Sequence, residues 1–215
     1  MYLCSAATGN STEVIVVDGG SNDDTISRAR AAGASKIYRC KTAGRSVQMN
    51  LGAAKSSGDI LLFLHADSTL PSGYDTLIND QMSPGFSWGC FRSIDIASHG
   101  VNPVFAFLMK QSVALRTTIF RKPYGDQALF IRKKIFDDIG GYRSDWKLLE
   151  DVELVEKLNN RCGSPAVVPH ALKTSGRRWD RLGVLRTTCI NQYILFRYAM
   201  GDSVNELEQI YRKKS

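Results

Sequence analysis

Two short runs constrain this chain more than anything else in it. EVIVVD (13–18) and DILLFL (59–64) are apolar without alternation and too short for helices. Each delivers the chain to a carboxylate, Asp18 in the first case and Asp67 in the second. A strand with no polar alternation is buried on both faces, as in the middle of a sheet covered by helices. Between the runs the spacing predicts a helix over 21–32, with Ser21 as N-cap and Gly33 as its stop. A short strand over 36–39 and a second helix over 45–56, closing near Gly58, follow. Strand, helix, strand, helix, strand is the signature of an open α/β sheet.

The remainder is less regular. A helix over 71–82 is expected with Pro71 in its first turn. Residues 86–96 read as extended, 101–118 as a helix, 127–132 as a strand, and the stretch to Ile139 as a helix ending at Gly140-Gly141. Residues 149–160 read as helical, 166–174 as partly extended, and 181–199 and 204–212 as C-terminal helices. With no repeats, low-complexity tracts or linkers, the 215 residues are expected to form one domain. Residues 13–82 are its nucleotide-type half and 83–215 its mixed half.

The net charge of +7 suits a phosphate-bearing partner, although a solvated basic surface gives the same balance. The positive charges are scattered and lack interleaved aromatics, so nucleic acid is not expected. Five cysteines, an odd number without CxxC pairs, argue against a disulfide framework or a zinc site. No apolar run reaches the roughly 18 residues of a membrane span. MYLCSAATGN has neither a basic n-region nor an apolar h-region, so the expected location is cytoplasmic.

Carboxylates recur where strands or turns end: Asp18, Asp67, and Asp126 in Gly125-Asp126-Gln127. Ligands of open α/β sheets bind outside the carboxyl ends of the strands, so residues far apart in sequence converge there. A divalent cation, Mg²⁺ or Mn²⁺, reconciles such acids with a diphosphate, and Asp67 is the candidate ligand. Taken singly, such an Asp reads more readily as an ordinary turn residue than as a ligand. Gly19-Gly20-Ser21 offers backbone N–H groups to an anion. Arg45, Gln48 and Asn50 lie near one helix start, where Arg45 suits phosphate. Glu150-Asp151 opens a helix whose dipole favours carboxylates and keeps them ionised; the functional alternative is a general base. Arg177, Arg178 and Trp179 combine a diphosphate clamp with a stacking surface, or else form a loop with exposed arginines. The three histidines are not spaced as a metal triad, and only His65 sits beside another candidate.

VIVVDGGSNDDT, GRSVQMNLGAA, ILLFLHADS, PYGDQALFIRKKIFDDIGGY, LLEDVEL and TSGRRW occur in that order between Val14 and Trp179, within a resemblance that covers residues 13–213. Together they resemble the family 2 glycosyltransferases of the GT-A fold, and more narrowly a small branch with HAD in place of DxD. The resemblance implies a Rossmann-like, open, mainly parallel sheet flanked by helices. It also implies transfer of a sugar from a UDP- or GDP-sugar to an unidentified acceptor. It assigns Asp18, Ser21, Asp23, Arg45, Gln48, Asn50, His65 and Asp67 to the donor, with Asp67 also on the metal. Asp151, with Glu150, becomes the catalytic pair, Asp151 being the base. Gly125, Asp126, Gln127, Arg177, Arg178 and Trp179 fall near diphosphate and acceptor. One base and one neutralised leaving group imply in-line displacement with inversion.

One departure stands out. The family's first strand, which lies mid-sheet, has no counterpart in MYLCSAATGN, and the helix after it is missing. The expectation is a truncated chain with bare backbone groups beside Val14–Val17 and marginal stability. That leaves room for a competing identity, a non-catalytic relative that binds nucleotide or other proteins. A nucleotidyltransferase would need a Gly-rich basic loop after its first strand, and a nicotinamide dehydrogenase a GxGxxG; neither is present. The helix over 181–199, basic at its ends, allows membrane-surface contact, but packing on the core is the favoured reading.

Overall fold

The computed structural model of the protein describes residues 2–8, 11–42, 44–83, 85–97 and 101–214, with backbone only for 2–8, 11 and 178. The N-terminal half runs β1 (Tyr2–Thr8), β2 (Ser11–Asp18), α1 (Thr25–Ala31), β3 (Lys36–Arg39), α2 (Arg45–Lys55) and β4 (Ile60–His65). It continues through β5 (Ser68–Thr69), α3 (Tyr74–Met82), β6 (Trp88–Ala97) and α4 (Pro103–Thr118). A 3₁₀ turn at Gly125–Gln127 leads into β7 (Phe130–Arg132), α5 (Lys133–Asp138), α6 (Glu150–Cys162) and β8 (Ala166–Ser175). The chain ends in α7 (Arg177–Leu182), α8 (Val184–Ala199) and α9 (Val204–Lys214).

The described strands form one sheet in the order β3-β2-β1-β4-β7-β6-β8-β5. The α/β class holds, but most neighbouring strands are antiparallel; only β2–β3 and β6–β8 pair parallel. The bare central edge is also overturned. β1 lies between β2 and β4, antiparallel to both, and opposes Ser5 to Val14, Cys4 to Ile15, Leu3 to Val16 and Tyr2 to Val17. The expectation of marginal stability rested on that edge, and the edge is paired. The two residues between β1 and β2, Gly9 and Asn10, lie outside the described residues.

β4 shows why its sequence has no polar alternation. Leu61 and Phe63 enter a core with Met49 and Ala53 of α2 and Leu154, Val155 and Leu158 of α6. Ile60, Leu62 and Leu64 point the other way, into a core with Ile78 and Met82 of α3 and Val113 of α4. Period-two side chains buried on both faces need an apolar residue at every position. A third cluster joins Leu149 to Ile190 and Ile194 of α8 and Leu207 of α9.

Three helix boundaries differ from expectation. α1 starts at Thr25, not beside Ser21, because the Asp18 carboxylate draws in the Gly20 and Ser21 N–H groups and holds 19–21 as a turn. α3 starts at Tyr74, after Gly73 in the left-handed region, so Pro71 lies outside it. The helix expected over 181–199 is two helices, broken at Gly183, whose φ of 79° no regular helix contains. The strand expected from Gln127 begins only at Phe130, because Gly125–Gln127 coils and Ala128 takes φ 48°.

Candidate active site

A cleft of about 270 Å³ opens where several elements end together. α2 contributes its first residue, Arg45; β4 contributes His65 and the turn after it Asp67. Tyr124 and Asp126 come from the 3₁₀ turn and its entry, and Asp151 from the start of α6. Thr174 and Ser175 end β8, Trp179 stands on α7, and Thr187 and Asn191 on α8.

Asp151 is the most firmly held of the acids. Its Oδ2 accepts the Gly125 N–H at 2.7 Å and its Oδ1 the Val152 N–H at 2.9 Å. The approach of the 3₁₀ turn is tight: a Cβ on residue 125 would lie 3.2 Å from Asp151 Oδ2 and 3.4 Å from His65 Nε2, so either neighbour would have to give by a few tenths of an ångström. Leu149, two residues before Asp151, is 6% exposed yet has φ 62°. A bulky residue in that region is strained by about 1–3 kcal/mol, which its packing in the third cluster must offset.

Glu150 differs from its neighbour. It is 1% exposed, does not line the cleft, and pairs with Arg45 at 2.5 Å. Burial raises its pKa, against the opposing pull of Arg45. The expectation that the helix dipole keeps this carboxyl readily ionised is therefore corrected, since desolvation outweighs it. Burial likewise raises Asp126, helped by the Asp151 charge and opposed by Arg116. Burial, then the Arg45 charge, pushes His65 down to about 4, leaving a neutral imidazole at neutral pH. Asp126 Oδ1, Glu150 Oε2 and Trp179 Nε1 are buried without a hydrogen-bond partner. Of these residues Asp126 and Trp179 line the cleft, where a bound molecule would satisfy such orphaned polar atoms.

The other expected site residues are engaged elsewhere. Asp18 is fully buried beneath its own turn, with Arg39 Nε at 3.4 Å. Its pKa is lowered, first by the Ser21 hydroxyl and further by the backbone N–H groups of Ser21 and Gly20. The Asp23 carboxylate accepts the Thr25 N–H and hydroxyl at the entry to α1. Gln48 donates to the Val17 carbonyl at 2.9 Å, and Asn50 to the Tyr142 carbonyl at 2.7 Å. Gln127 is fully buried: its amide donates to the Phe91 carbonyl and the Thr117 hydroxyl and accepts from Arg116 and the Tyr124 N–H. Arg177 is exposed and bonds to the Ser175 hydroxyl. The Arg178 side chain lies outside the described residues.

Sequence reasoning missed Tyr124, Thr187, Asn191 and Arg116. Arg116 stacks on Tyr124, its guanidinium carbon 3.5 Å from the ring centroid, and donates to the Lys122 carbonyl at 2.9 Å. Asn191 was visible as one of the polar breaks, with Arg186, Gln192 and Arg197, in the C-terminal helix, and Tyr124 as the residue preceding GDQ.

Known proteins resemble this chain in sequence and in fold. The model of the family described as "Glycosyl transferase family 2" matches residues 3–144. The chain is 28% identical over 201 residues to a PGL/p-HBAD biosynthesis glycosyltransferase of Mycobacterium tuberculosis, across 88% of this chain and 73% of that protein. Crystallised S. aureus TarS superposes with a TM-score of 0.60 at 16% identity, over 81% of this chain and 33% of TarS. The TarS 1-349 structure in complex with UDP-GlcNAc gives 0.58 at 14% identity, over 76% of this chain and 49% of that one. The chain thus spans about half or less of these TarS chains, and the likeness to them is one of fold.

Proposed function

The chain belongs to glycosyl transferase family 2, and on that premise we propose that it transfers a sugar from a nucleoside diphosphate sugar to an acceptor hydroxyl, with inversion. The observation that carries this is Asp151, fixed by two backbone N–H groups at the wall of a cleft that also holds Arg45, His65 and Asp67. TarS, whose fold this chain shares, was crystallised with UDP and with UDP-GlcNAc, which supports a donor of this kind.

In this reading Asp151 accepts the proton of the acceptor hydroxyl. The acceptor oxygen forms the new bond to the anomeric carbon. The bond from that carbon to the diphosphate breaks, and its electron pair leaves with the diphosphate. Arg45, oriented by buried Glu150, faces the developing negative charge. Glu150 is a positioning residue here.

The cleft also fits a divalent cation. Asp67 is an exposed carboxylate on it, beside the neutral His65 imidazole. Among the described residues no three His, Cys, Asp or Glu side chains form a closed metal cage. One carboxylate with substrate phosphate oxygens and water is the donor set that Mg²⁺ or Mn²⁺ takes in such sites. When bound, the ion would supply positive charge to the leaving diphosphate.

A thermal-shift panel tests the donor site. UDP and GDP are added with and without Mn²⁺ to the wild type and to Asp67→Ala. Ligand that binds only the folded state raises stability by RT ln(1 + [L]/Kd). The expected result is a shift with one nucleotide that grows with Mn²⁺ in the wild type and not in Asp67→Ala. A folded wild type that shifts with neither nucleotide overturns the reading. The competing identity of a non-catalytic relative drew its support from an unpaired central edge, and that support is gone.

A further inference from the structure

The cleft has a second compartment. It holds about 120 Å³ and is walled by Leu148, Leu149, Val152, Ile194, Leu195 and Tyr211. It shares Arg45, Tyr124, Asp151 and Asn191 with the polar compartment. Asp151 therefore stands at the junction, with carboxylates and imidazole on one side and aliphatic side chains on the other. Three of the walls come from helices outside the nucleotide-type half: the α6 entry, α8 and α9.

From this division we infer that the acceptor carries its hydroxyl on a ring-sized apolar body, such as a phenol or an alicyclic alcohol, seated in the second compartment. The inference rests on the reading of Asp151 as base and of the polar compartment as the donor site. The compartment's volume of about 120 Å³ is somewhat below the about 150 Å³ of an apolar cavity that admits benzene, so a ring fits here only by extending into the junction shared with the polar compartment. Chemistry supports the inference. Among the described residues that wall it, beyond the shared junction residues, the only polar side-chain group is the Tyr211 hydroxyl. A polyol would bury several hydroxyls against leucine and isoleucine without partners, which is unfavourable. An apolar ring buries only carbon there and sets its single hydroxyl at the junction, where Asp151 takes the proton.

The test uses the full chain, p-cresol as the apolar acceptor, and glycerol and glucose as polar ones. Donor hydrolysis by water is measured first over a panel of UDP- and GDP-sugars, and the best donor is used. Binding of p-cresol is followed separately by ligand-observed NMR. The expected result is saturable p-cresol binding and a kcat/KM for p-cresol at least tenfold above that for glycerol or glucose. Leu195→Asn is expected to raise the p-cresol KM at least tenfold, more than it moves the donor KM. Leu148→Asn serves as a second variant, and the melting temperature of each establishes that it is folded. Donor hydrolysis with glycerol or glucose preferred over p-cresol overturns the inference and leaves the donor reading standing. Absence of p-cresol binding to the wild type overturns it as well. Saturable p-cresol binding without turnover of any donor overturns the glycosyl-transfer reading, and the acceptor role falls with it.

Discussion

Gly125 holds the proposed base through its own N–H, 2.7 Å from Asp151 Oδ2. Alanine there would press on Asp151 and His65 at 3.2–3.4 Å while leaving the core untouched. Gly125→Ala is therefore expected to lower kcat roughly 10- to 100-fold by displacing Asp151, with a melting temperature close to that of the wild type. A loss of activity matched by unfolding would contradict this. His65 supplies a pH prediction. The unfolded chain protonates it near the ordinary 6.5 and the folded chain only near 4. Between those values the unfolded state holds the extra proton, so this group makes stability rise with pH across the window. The full difference is at most about 3 kcal/mol. It is read as the gap between wild-type and His65→Asn melting profiles from pH 4 to 7, and equal slopes in the two proteins would refute it. These two residues were legible in the sequence to different degrees. HAD marked a site, but nothing in three letters could reveal that burial holds the imidazole neutral.

At the scale of elements, the 3₁₀ turn at Gly125–Gln127 is held from behind by Gln127, whose amide joins β6, α4 and the turn's own entry. Gln127→Ala leaves the Phe91 carbonyl, the Thr117 hydroxyl and one Arg116 contact without their partner. The expected cost is about 3 kcal/mol, or roughly 10 °C in melting temperature for a chain of this length. A change below 2 °C would mean that water replaces the amide. The sequence exposed β4 and α6 clearly, because two-sided burial and an amphipathic helix each impose a period that composition cannot hide. It failed at α1, α3 and the α7–α8 break, because Asp18, Gly73 and Gly183 act through backbone dihedrals and local hydrogen bonds that carry no period. The GDQ segment was recognised as a site, yet Gln127 turned out to brace it from within. Only the contacts of its amide separate that role from binding.

For the whole molecule, the decisive feature is the strand that the sequence reading treated as lost. Seven residues that match no expected motif fill the centre of the sheet by running against their neighbours, which pattern reading confined to parallel units cannot foresee. Removing residues 1–10 would strip one partner from β2 and one from β4. The expected outcome is a chain that self-associates on size exclusion and loses its cooperative thermal transition. A monomer that melts as the full chain does would show that β1 contributes nothing to the fold. No helix among the described residues is long and apolar enough to cross a membrane. The cleft draws on both halves of the chain, since its walls run from Arg45 to Tyr211.

The place of β1 also sets an order of events on the ribosome. β1 and β2 pair through neighbours, Thr8 with Ser11 and Tyr2 with Val17, and a hairpin of this kind closes within about 1–10 μs. Its other edge belongs to β4, which does not begin until Ile60. At about 5–20 residues per second, synthesis leaves the hairpin waiting for seconds with one ladder open. A lone two-stranded hairpin is marginal in water. Emergence of β4 is therefore the moment at which a nascent chain either closes its own sheet or lends its edge to the chain beside it.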